Sequence, residues 1–180
     1  MTRATIDTVN QKTNAMRQLD KLDIPYEIRS YIRTDAVNGM EVAIALNEDP
    51  AQVFKTLVTM GRSKRYYVFM LPVDRELDLK KAAASVNEKS VDMIRSRDLL
   101  QLTGYIHGGC SPLCMKRPFR TVIDSSAESQ KIIFFSAGKI GYQIGTEPAN
   151  LRRVIGIETA DIVKESSLTD QVIRCNAARQ

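Results

Sequence analysis

The thirteen residues from Gly104 to Lys116 constrain the fold more than any other part of the chain. Their sequence, GYIHGGCSPLCMK, holds a Gly-Gly pair, a Ser-Pro pair, two cysteines and the single histidine of the protein. Gly108 and Gly109 lack a Cβ, so the backbone can turn sharply and lie close to another group. Ser111 precedes Pro112 and is biased toward an extended conformation. The stretch therefore predicts either a tight connection between strands or a loop whose free N–H groups bind an oxygen of a ligand.

The size and composition are those of an ordinary globular protein. A chain of 180 residues with 43% hydrophobic and 26% charged residues is long enough to bury a core as one domain. The first fifteen residues are polar and no apolar run reaches membrane-spanning length, which predicts a cytoplasmic protein. Three cysteines fit a reducing compartment.

The net charge is +5 and the isoelectric point is near 9.2, a mild basic bias. It favours a polyanionic partner such as nucleic acid, although many basic enzymes bind none. Two loose clusters carry part of the charge: Arg62, Lys64 and Arg65, and then Lys116, Arg117 and Arg120. Each cluster is either a solvated face or a contact for phosphates.

Hydrophobic periodicity predicts more strands than helices, with local hairpins. Helices are predicted through 16–22, 39–46, 78–86, 97–102 (with Ser96 as its cap) and 149–154, and strands through 24–32, 53–60, 66–71, 91–94, 121–124, 131–136, 141–144 and 157–163. This order predicts an α+β fold with a mixed, twisted β-sheet that curls toward a barrel and is flanked by helices. We expect a loose leader over residues 1–12, one domain over 13–165 and a polar tail over 166–180.

The strand VFKTLVTM places a lysine among apolar neighbours. Lys55 shares one face with Val53 and Leu57. Its stem can extend from a strand end toward water, or its ammonium can point into a pocket and bind a phosphate or ribose-phosphate group.

Several common chemistries find little support in the motifs. His107, Cys110 and Cys114 form H-x2-C-x3-C, but a structural zinc site wants a fourth ligand, and Cys175 in the tail is the remaining cysteine. The same residues can instead form a Cys-His nucleophile pair, or simply a buried thiol and a surface histidine. The segment at Gly138 lacks the full phosphate-loop pattern, and neither H-E-x-x-H nor G-x-S-x-G occurs. We predict no metal and no cofactor.

Five segments in register resemble the YbaK/EbsC family: VFKTL at 53–57, LDLKKAA at 77–83, GYIHGGCSPL at 104–113, VID at 122–124 and FSAGKIG at 135–141. This family comprises free-standing relatives of the editing insertion domain of bacterial prolyl-tRNA synthetase. The resemblance covers roughly residues 13 to 165. It implies trans-editing, the removal of a wrong amino acid from tRNA, with cysteine on proline tRNA as the best-understood case and without metal.

The resemblance also implies site residues. Lys55, Gly108 and Gly109 correspond to the catalytic positions, and Tyr31, Thr56, Ser111, Pro112, Ser136 and Gly138 to the substrate-binding ones. Three departures concern the identity of the amino acid: Cys114 replaces a glycine, Gln143 replaces an aspartate, and the loop between Tyr31 and Val42 is shorter and lacks a pocket phenylalanine.

These residues suit a deacylase that relies on positioning. Amides near Gly108 and Gly109 can stabilise the ester oxygen, and Lys55 can hold the terminal adenosine or its phosphate. For the cysteine-removing members, the resemblance implies that the thiol of the substrate attacks its own carbonyl and leaves a cyclic thiolactone. The alternatives are the editing of a different amino acid, a non-catalytic module that binds tRNA or nucleotide, and a thiol enzyme that uses Cys110. A prolyl-tRNA synthetase partner and the oligomeric state stay open.

Overall fold

The computed structural model describes residues 12–165. Except for Lys12, the predicted leader and the whole predicted tail, including Cys175, lie outside the described residues. In chain order the elements are α1 (Asn14–Lys21), β1 (Glu27–Ser30), α2 (Gly39–Ala45), β2 (Phe54–Gly61), β3 (Tyr66–Pro72), α3 (Leu79–Ser85), β4 (Val91–Met93), α4 (Ser96–Thr103), β5 (Arg120–Asp124), a 3-10 turn (Ser125–Ser129), β6 (Ile133–Ser136), β7 (Tyr142–Thr146), α5 (Pro148–Val154) and β8 (Ile157–Ala160). The predicted α+β class is confirmed.

The strands form two sheets over the described residues. The larger sheet has the order β4-β2-β3-β5-β8, with antiparallel pairs around β2 and parallel pairs from β3 to β5 and from β5 to β8. The smaller sheet has the order β1-β7-β6 and is antiparallel. The mixed pairing agrees with the prediction.

Residues 12–165 do not form a closed barrel, and their two sheets stand in place of the single sheet curling toward a barrel that was predicted. The edge strands β4 and β8 of the larger sheet do not pair with the smaller one. Val53, just before β2, instead makes an isolated parallel bridge to Phe134 in β6, where the Phe134 N–H donates to the Gln52 carbonyl over 2.8 Å. This bridge holds β2 beside β6, so the start of β2 is shared by both sheets.

Helix ends explain where several elements begin. The Asn38 side chain accepts hydrogen bonds from the N–H groups of Met40 and Glu41, and the Glu41 carboxylate accepts from the Asn38 N–H. This capping box fixes the start of α2. Helix α4 ends at Gly104 with φ 85°, as predicted, but the Ser96 cap is wrong because Ser96 is the first helical residue and Arg95 precedes it without a side-chain cap.

Apolar side chains fill both faces of the larger sheet. An apolar cluster that includes Phe54, Met70 and Phe135 lies between the sheets, and α1 and α5 pack onto it. On the opposite face, α3 covers Phe69 and Leu71. Among residues 12–165, no helix combines the length and apolar character that a membrane crossing requires. A cavity opens at the start of β2, the segment that both sheets share.

Candidate active site

A cavity of about 250 Å³ opens beside the start of β2, and we call it the inter-sheet cavity. The larger sheet contributes Lys55 and Thr56 to its wall, and the smaller sheet contributes Ser136 and Gln143. The remaining lining comes from the loop after β1, the start of α2, β2 and its approach, the residue after β3, α4 and the glycine loop at 104–116. It includes Tyr31, Val37, Asn38, Gly39, Val42, Val53, Phe54, Leu57, Val73, Leu99, His107, Gly108 and Cys110. An apolar wall with a few polar groups is typical of a small-molecule site.

Lys55 brings a half-buried positive charge to this cavity. Its Nζ donates hydrogen bonds to the carbonyl oxygens of Val73 over 3.3 Å and Arg75 over 2.5 Å. Burial lowers the pKa of the Lys55 ammonium below its ordinary value, while the negative charges of Glu76 and Asp74 oppose that shift. An ammonium has three donors, so one N–H remains for a ligand.

Two buried polar atoms on the cavity wall lack a hydrogen-bond partner among residues 12–165. They are the Thr56 Oγ1 and the Gln143 Oε1, and Gln143 as a whole is only 5% exposed. Leaving such a group unpaired costs roughly 1 to 3 kcal/mol, so each is a natural partner for polar atoms of a ligand.

The glycine loop presents one glycine to the cavity and turns the other away from it. Gly108 lines the cavity with φ 81°, a conformation that favours glycine, and within the described part of the chain its N–H meets no acceptor. Gly109 is not part of the lining, and its N–H donates to the Ile106 carbonyl over 3.0 Å. Of the two predicted amides, Gly108 is the one available to a ligand.

Three further predicted residues lie outside the cavity lining. Ser111 and Pro112 are buried, and the Ser111 Oγ accepts a hydrogen bond from the Leu113 N–H over 3.3 Å. Gly138 has φ 86°, and its N–H donates to the Ser136 Oγ over 3.2 Å. These residues shape the loops beside the cavity, and through Ser136 the turn at Gly138 fixes one hydroxyl on its wall.

Tyr31 lies at the junction of β1 and the loop that leads to α2. It is 7% exposed, and its backbone N–H donates to the Gly141 carbonyl over 2.8 Å. This bond ties the end of β1 to the turn before β7. This hydrogen bond fixes the backbone that carries the Tyr31 ring.

The cysteines and the histidine are not brought together as a metal centre. Cys110 is 9% exposed, and burial raises the pKa of its thiol to about 12. Cys114 is exposed, and its Sγ lies 3.0 Å from the side-chain oxygen of Gln18 and 3.3 Å from the carbonyl oxygen of Asn14, so its one S–H can donate to either. Within 12–165, no three or more His, Cys, Asp or Glu side chains are grouped closely enough to hold a metal ion.

Sequence reasoning missed the contribution of α2. Val37, Asn38 and Gly39 form part of the cavity wall. The signal was present, since Asn38 followed by Glu41 is a capping box that marks a helix start. What the pattern lacked was the packing of Gly39, whose missing side chain leaves room for Val73: a Cβ there would lie 2.5 Å from Val73 Cγ1.

Comparison with known proteins supplies the family. Residues 35–154 match the model of the aminoacyl-tRNA editing domain. A protein of Enterococcus faecalis (strain ATCC 700802 / V583), provisionally named Cys-tRNA(Pro)/Cys-tRNA(Cys) deacylase EbsC, is 39% identical over 153 residues, which are 84% of this chain and 93% of that protein. The chain belongs to the aminoacyl-tRNA editing domain family. The predicted family resemblance is confirmed.

Solved structures show that the editing-domain fold extends to more distant proteins. A candidate trans-editing enzyme for prolyl-tRNA synthetase superposes with a TM-score of 0.74 at 20% identity, over 86% of this chain and 100% of that one. The hypothetical protein APE2540 gives a TM-score of 0.75 at 20% identity, over 82% of this chain and 97% of that one. At such low identities the likeness concerns the fold. The family match includes each predicted site residue except Tyr31, which lies just before it.

Proposed function

We propose that this protein is a free-standing aminoacyl-tRNA deacylase that removes cysteine mischarged onto proline tRNA. Family membership and the name of the E. faecalis relative support the reaction class. The observation that carries the proposal is the inter-sheet cavity, which is lined by Lys55, Gly108, Thr56 and Gln143. Among residues 12–165, the Gly108 N–H and the side-chain oxygens of Thr56 and Gln143 have no hydrogen-bond partner.

The size of the cavity supports a small aminoacyl group as its occupant. Its 250 Å³ lies just below the range of about 300 to 1,000 Å³ that is usual for drug-sized ligands. The amino acid enters, and the terminal adenosine stays at the mouth. There the remaining N–H of Lys55 holds the ribose or its phosphate.

The chemistry needs no nucleophile from the protein. The thiol sulfur of the bound cysteine attacks its own ester carbonyl, the bond from that carbon to the ribose oxygen breaks, and the thiol proton ends on the ribose hydroxyl. The products are a cyclic thiolactone and tRNA with a free 3′ end. The Gly108 N–H stabilises the negative charge that develops on the carbonyl oxygen.

The cysteines of the protein contribute little to this reaction. The Cys110 thiol is the one on the cavity wall, and its pKa near 12 keeps it protonated at neutral pH. This observation favours the substrate thiol over a protein thiol as the attacking group.

The substrate defines the setting of the reaction. A deacylase of this kind works in the cytoplasm, on the acceptor end of tRNA released by a synthetase. Prolyl-tRNA synthetase is the partner that our proposal names, because it produces the mischarged species.

A panel of aminoacylated tRNAs tests the proposal. We expect release of cysteine from Cys-tRNA(Pro) to be faster than release of alanine, serine or proline from the same tRNA, with Cys-tRNA(Cys) showing how much the tRNA matters. Faster release of another amino acid would reassign the specificity. Binding of every tRNA without turnover would make the protein a binding module.

Blocking the substrate thiol tests the mechanism separately. S-methylcysteine on proline tRNA adds one methyl group to the side chain and has no S–H, so it cannot form a thiolactone. We expect it to resist the enzyme while still competing with Cys-tRNA(Pro). Its cleavage at the rate of the cysteine ester would mean that water attacks instead.

A further inference from the structure

A second cavity, of about 460 Å³, lies away from the site described above and shares no lining residue with it. Its wall contains Lys64, Arg65, Tyr66, Tyr67, Val86, Arg117, Pro118, Phe119 and Arg120, and we call it the basic groove. It brings Lys64 and Arg65 of the first basic cluster together with Arg117 and Arg120 of the second, because β3, which follows the first pair, lies parallel to β5, which begins at Arg120. No acidic residue is part of its wall.

Arg117 is held in the groove by aromatic rings. Its guanidinium carbon lies 5.5 Å from the ring centroid of Tyr66 and 5.5 Å from that of Phe119. The two rings meet edge to face, at 81° with centroids 6.4 Å apart. Cation–π contacts position the guanidinium without using its N–H donors, so those donors stay available to an anion.

Two acids, Glu158 and Glu88, bind residues of the groove wall. Glu158 makes a two-pronged ion pair with Arg120, over 2.7 and 2.8 Å. Glu88 accepts hydrogen bonds from the Ser63 backbone and hydroxyl and from the Tyr67 hydroxyl. Lys64, Arg65 and Arg117 make no ion pair with any described residue. These three cations line the groove without a carboxylate at ion-pair distance within residues 12–165, and Arg65 interacts with Glu88 only through longer-range Coulombic attraction.

The groove is placed to continue a path that starts at the inter-sheet cavity. Thr56, Val58 and Met60 share one face of β2, and Met60 pairs with Tyr66 of the groove. Four residues of strand, at roughly 3.3 Å each, separate Thr56 from Met60 by about 13 Å. A stacked nucleic-acid strand advances about 3.4 Å per nucleotide, so this is the length of about four nucleotides. The layer of Leu99 and Cys110 lies between the two openings, over Val58 and Val68.

We propose that the basic groove binds phosphates of the tRNA acceptor stem next to its single-stranded 3′ end, while the aminoacyl group lies in the inter-sheet cavity. The inference depends on the proposed function only for the position of the aminoacyl group in the inter-sheet cavity. Lys64 and Arg65, on the hairpin between β2 and β3, supply exposed charges, and Arg117 supplies a planar one that contacts two aromatic rings. A groove that reads phosphates discriminates among tRNAs weakly and raises affinity for all of them.

Binding of uncharged tRNA tests the groove independently of deacylation. The test variant combines Lys64→Ala, Arg65→Ala and Arg117→Ala. Its matched control combines Lys21→Ala, Lys131→Ala and Arg153→Ala, which removes three exposed cations that also lack an ion pair among the described residues and lie outside the groove. We expect the test variant to bind at least about tenfold more weakly at low salt, with the slope of log K against log salt reduced by roughly 2, and the control to bind like the wild type.

Substrate length separates this inference from the proposed function. With Cys-tRNA(Pro), the groove variant should show a KM raised about tenfold and a nearly unchanged kcat. With the cysteinyl ester of a CCA trinucleotide, which cannot reach the groove, variant and wild type should behave alike. Absence of turnover in the wild type would overturn the proposed function and leave the tRNA-binding result standing.

Two results would overturn the inference. One is a groove variant that binds uncharged tRNA with wild-type affinity and salt slope. The other is a groove variant that keeps tRNA binding and loses co-elution with purified prolyl-tRNA synthetase, which would assign the groove to a protein partner.

Discussion

The Nζ of Lys55 donates a 2.5 Å hydrogen bond to the carbonyl oxygen of Arg75, twenty residues further along the chain. Together with the bond to Val73, it holds the ammonium at the cavity and ties the start of β2 to the loop after β3. Lys55 therefore has two roles that substitution can separate: it holds a loop, and it presents a charge.

Replacing Lys55 should abolish most of the activity. Loss of one charge-assisted contact to the substrate is worth about 1.5 to 3 kcal/mol, or roughly ten- to a hundredfold in kcat/KM. We expect Lys55→Ala to fold and to be nearly inactive, and Lys55→Arg to recover only part of the rate because a planar fork does not fit where a compact ammonium did. Steady-state deacylation of Cys-tRNA(Pro) at two salt concentrations measures this.

Lys55→Met is the control for the loop. It keeps the length and packing of the stem, so a melting temperature close to that of the wild type with lost activity would separate the charge from the fold. Full activity in Lys55→Ala, with an unchanged salt dependence, would remove Lys55 from the site.

The two adjacent glycines should respond differently to a methyl group. Gly108→Ala forces an alanine to φ 81° at a cost of roughly 1 to 2 kcal/mol and disturbs the free amide, so we expect a slower deacylation rate. Gly109→Ala should be nearly silent, since its amide already serves the turn to Ile106 and a Cβ would find its nearest neighbour at 3.5 Å. Single-turnover rates and melting temperatures should be measured together. A larger loss of rate in Gly109→Ala than in Gly108→Ala would indicate that the Gly109 N–H stabilises the carbonyl oxygen.

The cysteines should be dispensable. The described thiols are either buried and protonated or bonded to α1, so a protein with Cys110→Ser, Cys114→Ser and Cys175→Ser should retain most of its deacylation rate. Cys110→Ala distinguishes a lost thiol from a buried hydroxyl if the serine variant is unstable. An inactive Cys110→Ala that melts like the wild type would point to a protein nucleophile.

Glu48 should make the stability of the fold depend on pH near neutrality. Its side chain is 6% exposed, and neither carboxylate oxygen has a hydrogen-bond partner among the described residues, although the Arg29 Nε lies 3.6 Å away. Burial raises the pKa of Glu48 to about 7; Arg29 opposes this shift, and Glu27 adds to it. Between the unfolded pKa near 4.5 and the folded value, the native state binds more protons, so stability falls as the pH rises through this window.

Denaturant melts at pH 5 and pH 8 measure this effect. We expect the wild type to be less stable at pH 8 by roughly 1 to 3 kcal/mol and Glu48→Gln to lose most of that difference. Glu128→Gln, at an exposed ion pair with Arg152, is the matched control and should keep the wild-type pH dependence. The same pH dependence in wild type and Glu48→Gln would assign it to other groups.

The sequence predicted best where local chemistry decides the structure. The β2–β3 hairpin was expected over 53–60 and 66–71 and is found at Phe54–Gly61 and Tyr66–Pro72, because alternating apolar residues and a short turn specify it locally. The first strand was expected over 24–32 and spans only Glu27–Ser30, since its length is set by pairing with β7, far along the chain. The α+β class followed from such patterns, whereas the division into two sheets did not.

The candidate site was predictable as a set of residue types and not as a set of contacts. Lys55, Thr56, Tyr31, Ser136 and Gly108 meet at one cavity, as the family resemblance implied. The spacing of the residues did not predict that the Gly109 N–H donates a hydrogen bond to the Ile106 carbonyl. Such partners depend on how the loop closes, which two neighbouring glycines leave undetermined.

The cavity takes its walls from both sheets, which the backbone bridge at Val53 and Phe134 joins beside it. A ligand that contacts Lys55 and Gln143 together spans this seam, so it acts as a removable cross-link between the two halves of the fold. Its binding free energy opposes their separation, and saturating substrate analogue should raise the melting temperature by mass action. Each turnover then removes that cross-link when the products leave the cavity.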